Sequence, residues 1–402
     1  MANKDLKWET TITRNIGVDF GFFNSRLTGT IDAYWNTTKD LLMKTAIPGI
    51  TGFTSTYANV GQTSNKGIEI ALQGVLVKTR DWNVTAGFNI NFNRGKVDKL
   101  ADNVTGLYGT EWATSSTFPK SDYVLKEGRP VGLVRGLTAD GFYTTDDFTY
   151  ANGVYTLKEG VADVSSAVFP NYHLHNGMNE RPAGQLAYPG MAKFKDLNDD
   201  GIINDDDVDV IGDMTPVHTG GFNINATYKN FDLGLYFNWS YGNEIYNVNK
   251  LAALYGYKEG AVYENKLSIV KDCYKIYDVV NGELVALTTP EQLNAANANA
   301  KLPLAYSENG YVSTLGIEDG SYLRLNTLTL GYTLPKSMLQ KAGISNLRVY
   351  GSIYNVFTIT GYSGIDAEVS TSTSTKTYPQ LGMDWGTYPR ARSFVLGVNL
   401  SF

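Results

Sequence analysis

The chain has 402 residues, of which 43% are hydrophobic, 18% charged and 12% aromatic, with 41 Gly, 27 Tyr and a formal net charge of −6. A sequence pI of 5.2 excludes nucleic acid as a partner, because phosphate recognition needs a basic surface. The single cysteine, Cys273, excludes an intramolecular disulfide and a thiolate zinc site, and no run of about 18 apolar residues exists to form a transmembrane helix.

Six stretches alternate apolar and polar residues over nine or more positions. Successive strand side chains point to opposite faces, so each stretch predicts a strand with one oily and one polar face. The first places Ile12, Arg14, Ile16, Val18, Phe20 and Phe22 opposite Thr13, Asn15, Gly17 and Asp19. Asn24-Ser25 turns it into a return strand with Leu27, Ile31, Ala33 and Trp35 on the oily face. A Thr-, Gly- and Ser-rich loop is expected over about 43–65. Ile68, Ile70 and Leu72 open the next hairpin, which turns at Lys78–Asp81 and returns through Trp82, Val84, Ala86, Phe88, Ile90 and Phe92. The other face of that return is Asn83, Thr85, Gly87, Asn89, Asn91 and Asn93, a wet surface by its chemistry, since asparagine is a poor strand former.

A weaker hairpin is read at about 121–145, then a third clear one at Phe222–Tyr228 and Phe231–Trp239 with its turn at Lys229-Asn230. The irregular stretch 241–319 carries two predicted helices, about 244–255 and 290–300. Thr289 is the N-cap of the second and Pro290 its first residue. In the strand over 321–334, Leu323 and Leu325 fall out of phase with Leu328, Leu330 and Tyr332, which predicts a bulge near Asn326-Thr327. Pro335–Gly343 reads as a helical turn. The strand at Leu347–Phe357 follows, and the chain ends in Phe394, Leu396, Val398, Leu400 and Phe402 on one face of a last strand.

The expectation is 11 strands, with short turns near 24, 79, 139, 230 and 339 and long loops at about 95–120, 147–218, 241–319 and 359–388. Short turns at one end and long loops at the other define an outer-membrane β-barrel, whose oily faces meet lipid and whose polar faces line the lumen. An odd count that starts with a strand running toward the periplasm predicts further strands ahead of residue 1. The N-terminus lacks the apolar core of a signal peptide, so a longer precursor is expected. Two other readings compete. A soluble extracellular glycan-binding β-sandwich would bury its oily faces against each other. A barrel lipase would need a Ser–His pair on the lumen wall.

Leu6-Lys-Trp-Glu-Thr, Asn65-Lys-Gly-Ile-Glu, Lys195-Asp-Leu-Asn-Asp-Asp-Gly, Gly320-Ser-Tyr-Leu-Arg-Leu, Asn355-Val-Phe, Thr360-Gly-Tyr and the Phe402 strand resemble the C-terminal half of SusC/RagA-type TonB-dependent outer-membrane transporters. The resemblance covers nearly the whole chain in order. It implies that residues 1–402 are the C-terminal part of the barrel, half of a 22-stranded one. It also implies a SusD-like surface lipoprotein as a lid, and coupling to TonB–ExbB–ExbD through an N-terminal plug that this chain does not contain. The cargo would be oligosaccharide or peptide, and the location the outer membrane of a Gram-negative, Bacteroidota-like cell.

Asp196, Asn198, Asp200, the Ile202 carbonyl and Asp207 follow the spacing of a calcium loop with Gly201 at its sharp turn, so a structural Ca²⁺ bracing an extracellular loop is expected. Asp stands at the last position where Glu is usual. His173 and His175 lie in a loop without an evident third ligand, and His218 reads as an ordinary loop residue. Trp35, Trp82 and Trp239 fit aromatic girdles. Trp385, in a loop, is a candidate for touching substrate or lid, together with Arg348 and Arg390. Arg348, Arg390 and Arg392 face or adjoin the lumen by phase. No G-x-S-x-G, H-E-x-x-H or phosphate loop is present, and no enzyme is expected.

Overall fold

The computed structural model describes residues 6–46, 52, 55–100, 104–114, 117–169, 181–255, 267–305, 310–340, 343–371 and 380–402. Nine strands form one antiparallel sheet in sequence order. They are β1 (Thr10–Phe22), β2 (Leu27–Ala46), β3 (Ser55–Lys78), β4 (Trp82–Lys99), β5 (His218–Tyr228), β6 (Phe231–Tyr241), β7 (Tyr322–Thr333), β8 (Asn346–Thr360) and β9 (Ser393–Ser401). The connections at one rim are short turns, apart from residues 334–345 between β7 and β8, which hold the helical turn Lys336–Leu339. Phe23, Asn24 and Ser25 take positive φ to reverse β1 into β2, and Lys229 (φ +51°) does so between β5 and β6. At the other rim stand the three long excursions, 100–217, 242–321 and 361–392.

Register keeps the two chemistries apart. Phe20, Gly29, Leu72, Phe88, Phe222, Phe237 and Leu325 are successive cross-strand partners. Directly opposed residues share a face, so this row is continuous across the sheet. The next row of the opposite face is Thr28, Gln73, Gly87, Asn223 and Tyr236. Between Leu325 and Thr327 the register slips on both sides of β7, which leaves Asn326 unpaired and returns Leu328 and Leu330 to the oily face. The predicted bulge is therefore present, and it keeps β7 usable as a wall strand.

The oily face is not covered by protein. Phe394, Leu396 and Val398 are 72%, 89% and 62% exposed. Aromatic belts bound it: Trp82 packs on Tyr228 and Phe231 on Tyr332 near the short turns, and His218 stacks on Tyr241 near the excursions. The 11 residues of β5 run from one belt to the other. That is about 33 Å of strand, or about 25 Å of height at a barrel tilt, which is the hydrocarbon thickness such proteins present. The sandwich alternative needs a second sheet on these faces, and among the described residues the nine-stranded sheet has none.

Four expectations are corrected. Among the described residues the wall has nine strands, not 11. The hairpin read at 121–145 contributes Tyr123–Leu125 and Leu133–Leu137 to a separate four-stranded sheet. All of Tyr123, Val124 and Leu125 are buried, so that segment has no wet face to give a lumen. The turn near 139 is instead the strand Ala139–Phe142, which pairs with Ala192–Phe194. Much of the loop expected over 43–65 is ladder: β2 and β3 remain paired to Ala46 and Ser55, with a register shift beside Asp40 (φ +57°).

The excursions are not loose. Tyr143, Tyr155, Tyr188, Ile203, Leu251 and Leu293 are fully buried in one core drawn from the first two excursions. Met383 of the third joins the same core. The dry interior of this protein is thus built from excursion residues, not from the oily faces of the strands. Helix α1 (Val248–Tyr255) and helix α2 (Pro290–Asn297) lie here, close to where the sequence places them. Thr289 caps α2: its hydroxyl accepts from the Gln292 amide while the Gln292 side chain accepts from the Thr289 amide.

Candidate functional site

Two regions can meet a solute: the polar face of the wall and the cap of excursions above it. Along the polar face runs a groove of 680 Å³ lined by Asp19, Thr30, Gln73, Asn89, Asn223 and Tyr236. Amides and hydroxyls line it beside the carboxylate of Asp19, and tyrosine–asparagine bonds recur along the same face of the wall. Tyr34 donates to Asn93 Oδ1 (3.0 Å) and Tyr236 to Asn225 Oδ1 (3.1 Å). Asparagines that looked costly in a strand are thus used as hydrogen-bonding groups facing water.

Where the third excursion leaves the wall, four charges interlock. Arg324 of β7 is 2% exposed and donates through Nε to Thr358 Oγ1 (2.9 Å), through Nη1 to Glu368 (3.0 Å) and through Nη2 to Asp366. Arg390 reaches the same two acids, at 2.9 Å from Glu368 and 3.5 Å from Asp366. Arg390, read as lining the lumen, is therefore occupied in a clamp that ties residues 366–368 to the wall. The sequence offered a signal for Arg324: it lies between Leu323 and Leu325, so phase alone puts it on the polar face. Nothing local marked Asp366 and Glu368 as its partners, because they sit 42 and 44 positions away in a loop.

A second clamp joins the second and third excursions. Glu318 accepts from the Ser363 amide (2.9 Å) and hydroxyl (2.8 Å), from Lys250 Nζ (3.0 Å) and from Asn247 Nδ2 (3.2 Å). Burial works to raise its carboxyl pKa, but the Ser363 and Lys250 bonds outweigh it and hold it below the ordinary glutamate value. Trp385 stands beside this region. Its amide donates to Thr371 Oγ1 (3.1 Å), and its indole is half exposed. It is placed on the cap.

Arg348 is not at the cap. It lies at the rim of short turns, bound to Asp232, so its position fits a brace of the wall and not a seat for a lid. His218 is also relocated: it is the first residue of β5, accepts a bond from Trp239 Nε1 (3.0 Å) and belongs to the outer aromatic belt. His173 and His175 lie outside the described residues. Cys273 is buried, and burial pushes its thiol up to about 11.

The Asp-rich loop closes on itself. Asp196 accepts from the Gly201 amide (2.7 Å), where φ is +84°, and Asp200 from the Ile202 amide (2.8 Å). Asn198 donates to Asp200 (2.9 Å). Asp207 is buried and spends its two oxygens on the amides of Leu197 (2.7 Å) and Asn204 (2.8 Å). Among the described residues no three carboxylate, imidazole or thiol side chains converge as a metal site. The spacing of a calcium loop is present, but its twelfth position is turned to the backbone.

An antiparallel wall with an oily outer face between aromatic belts, a polar inner face and every long connection at one rim is part of an outer-membrane β-barrel. The family described as "TonB dependent receptor-like, beta-barrel" matches residues 1–179. The chain is 30% identical over 406 residues to TonB-dependent receptor P3 of Formosa agariphila, covering 100% of this chain and 35% of that protein. It is 29% identical over 408 residues to TonB-dependent receptor SusC of Bacteroides thetaiotaomicron, covering 100% of this chain and 32% of that protein. The solved structure of the RagAB peptide transporter superposes with a TM-score of 0.69 at 25% identity, over 100% of this chain and 36% of that one. Over its whole length the chain is similar to TonB-dependent receptors of SusC and RagA type, and it spans about a third of the length of the relatives it matches. Those relatives are receptors and transporters rather than enzymes.

Proposed function

We propose that this chain forms the C-terminal part of the barrel and part of the extracellular cap of a SusC/RagA-type importer. Cargo passes along the polar groove after capture at the cap. The observation that carries the reading is the sorting of connections: three interlocked excursions at one rim stand over a wall whose other rim has no connection longer than residues 334–345. A SusD-like lipoprotein would close over the cap near Trp385. TonB–ExbB–ExbD would act through a plug held by the polar face. Peptide is the favoured cargo, since RagAB is named a peptide transporter, and oligosaccharide is the second, in a Bacteroidota-like outer membrane.

Uptake of labelled peptides and oligosaccharides by cells carrying the full-length protein tests this. Uptake that needs the proton-motive force is expected, and uptake of neither class would overturn the cargo reading. Leu396→Arg and Asn399→Arg test the membrane placement, because Leu396 is on the oily face and Asn399 is paired with Arg348 on the polar one. The first should cost about 2–4 kcal/mol of stability in a bilayer and the second far less. Equal costs would overturn the placement. A structural Ca²⁺ held by Asp196, Asn198, Asp200 and the Ile202 carbonyl is part of the proposal, with Asp207 freed from its amides. Calorimetric titration with Ca²⁺ tests it, and absence of binding heat at millimolar ion removes it.

A further inference from the structure

Above the apolar band, on the lipid side of the wall, runs a row of cations. Arg14, Trp35, Lys66 and Arg94 are successive register partners on β1, β2, β3 and β4. The row beneath them, Ile16, Ala33, Ile68 and Phe92, is the last apolar row before the excursions. The row above adds Lys96, the partner of Ser64 and so on the same face. Lys39 lies above again, opposite Thr10. All five cations are exposed.

Their charge is poorly compensated on this face. Arg94 donates to the carbonyls of Pro216 (2.7 Å) and Asn93 (3.0 Å), which fix its guanidinium without neutralising it. Among the described residues, no ion pair involves Arg14 or Lys66. The acid on this side, Asp98, is taken by Lys96 (3.1 Å), Ser64 Oγ (2.9 Å) and Gln62 Nε2 (3.3 Å). Glu69 and Asp32 stand one residue out of phase and therefore face the lumen.

We propose that this row is a docking site for the phosphate groups of an outer-leaflet glycolipid. Cations placed where an apolar band ends lie at headgroup depth, and there they attract anionic headgroups. Arginine offers a planar fork to phosphate and lysine a point charge, so the row holds both kinds of donor. Three inter-strand spacings make it about 14 Å wide, enough for a phosphorylated sugar headgroup. Trp35, between Arg14 and Lys66, supplies a flat apolar surface for the sugar. The inference rests on the membrane placement of the wall argued above.

The test uses the full-length protein purified from outer membranes, titrated with phosphorylated lipid A and with the same lipid after removal of its phosphates. The wild type should prefer the phosphorylated form. Arg14→Gln with Lys66→Gln and Arg94→Gln should weaken that binding about 100-fold, and Lys66→Gln alone about fivefold. The charge-preserving set Arg14→Lys, Lys66→Arg and Arg94→Lys should retain most of it. Inorganic phosphate at matching concentration should not compete. A triple variant that assembles in the outer membrane with unchanged lipid affinity would overturn the docking site alone. Wild-type protein that fails to assemble there would overturn the membrane placement itself.

Discussion

Arg348 on β8 reaches over the intervening strand to bind Asp232 on β6, with Nε 2.9 Å from Oδ1 and Nη2 2.5 Å from Oδ2. Gly331 of β7 is the register partner of Asp232 and lies beneath the pair. A Cβ there would sit 2.5 Å from Asp232 Oδ1 and 2.6 Å from Arg348 Nη2. The glycine is thus required by a two-pronged ion pair that spans three strands on the polar face.

Gly331→Ala should therefore break the pair, although alanine is otherwise the better strand residue. Both partners keep some exposure, so the expected loss is about 1 kcal/mol rather than the value of a buried pair. A double-mutant cycle with Arg348→Gln and Asp232→Asn, run once in the wild-type background and once in the Gly331→Ala background and read by urea unfolding of the full-length protein, checks it. Coupling should be present with glycine and absent with alanine.

Arg324→Leu removes the deeply buried cation of the cap junction and leaves Asp366 with Arg390, at 3.5 Å. Breaking a buried pair on one side costs about 3–5 kcal/mol when the remaining charge is left without solvent or partner, and Asp366, which keeps Arg390 and the Glu368 amide, should fall at the low end of that range. The expected result is loss of amide protection over residues 361–371 in hydrogen exchange, with the strand amides of β5 and β6 unchanged. Arg390→Gln should do much less, since Arg390 is half exposed and its removal leaves Arg324 in place. Equal effects from the two variants would show that Arg324 is not the anchor.

The wall was legible because its periodicity is enforced. A one-residue slip would turn Phe88 into the lumen and Asn89 into lipid, so sequence must declare the faces. The bulge at Asn326 was legible for the same reason. The cap was not. Its strands are two to six residues long, too short to show a period, and some, such as Tyr123–Leu125, are buried on both sides, so no alternation survives there to be read. Its polar anchors join residues far apart in sequence, such as Tyr123 with Leu381 and Glu318 with Ser363. Of the arginines that phase placed on the polar face, Arg348 and Arg390 prove to be braces, and their carboxylate partners carried no local signature.

Glu318 gives the cap a pH dependence with a defined sign. Its folded pKa lies below the unfolded value near 4.5, so the folded state binds the proton more weakly. Its contribution is complete above that value and is lost as pH falls through the folded pKa. Hydrogen exchange corrected for intrinsic rate should therefore show the Ser363 amide equally protected from neutral pH down to about 5, then progressively exposed. Glu318→Gln should be less protected at neutral pH and should show no such acid step. A step of the same size in that variant would assign the effect to another group.

The sheet begins at β1 and ends at β9, and among the described residues neither edge strand has an outer neighbour. Alternate amides and carbonyls of the 13 residues of β1 and the 9 residues of β9 point away from the sheet. In hydrocarbon each unpaired group costs several kcal/mol, and only a closed barrel removes that cost. Expressed alone, the 402-residue chain should therefore fail to form a monomeric pore and should associate through its edges. Co-expression with the remainder of a relative's barrel as a separate chain should restore a heat-modifiable species on gels and recover the folded cap. A monomeric species from this chain alone that conducts ions across a planar bilayer would overturn the claim that these edges are completed by other strands.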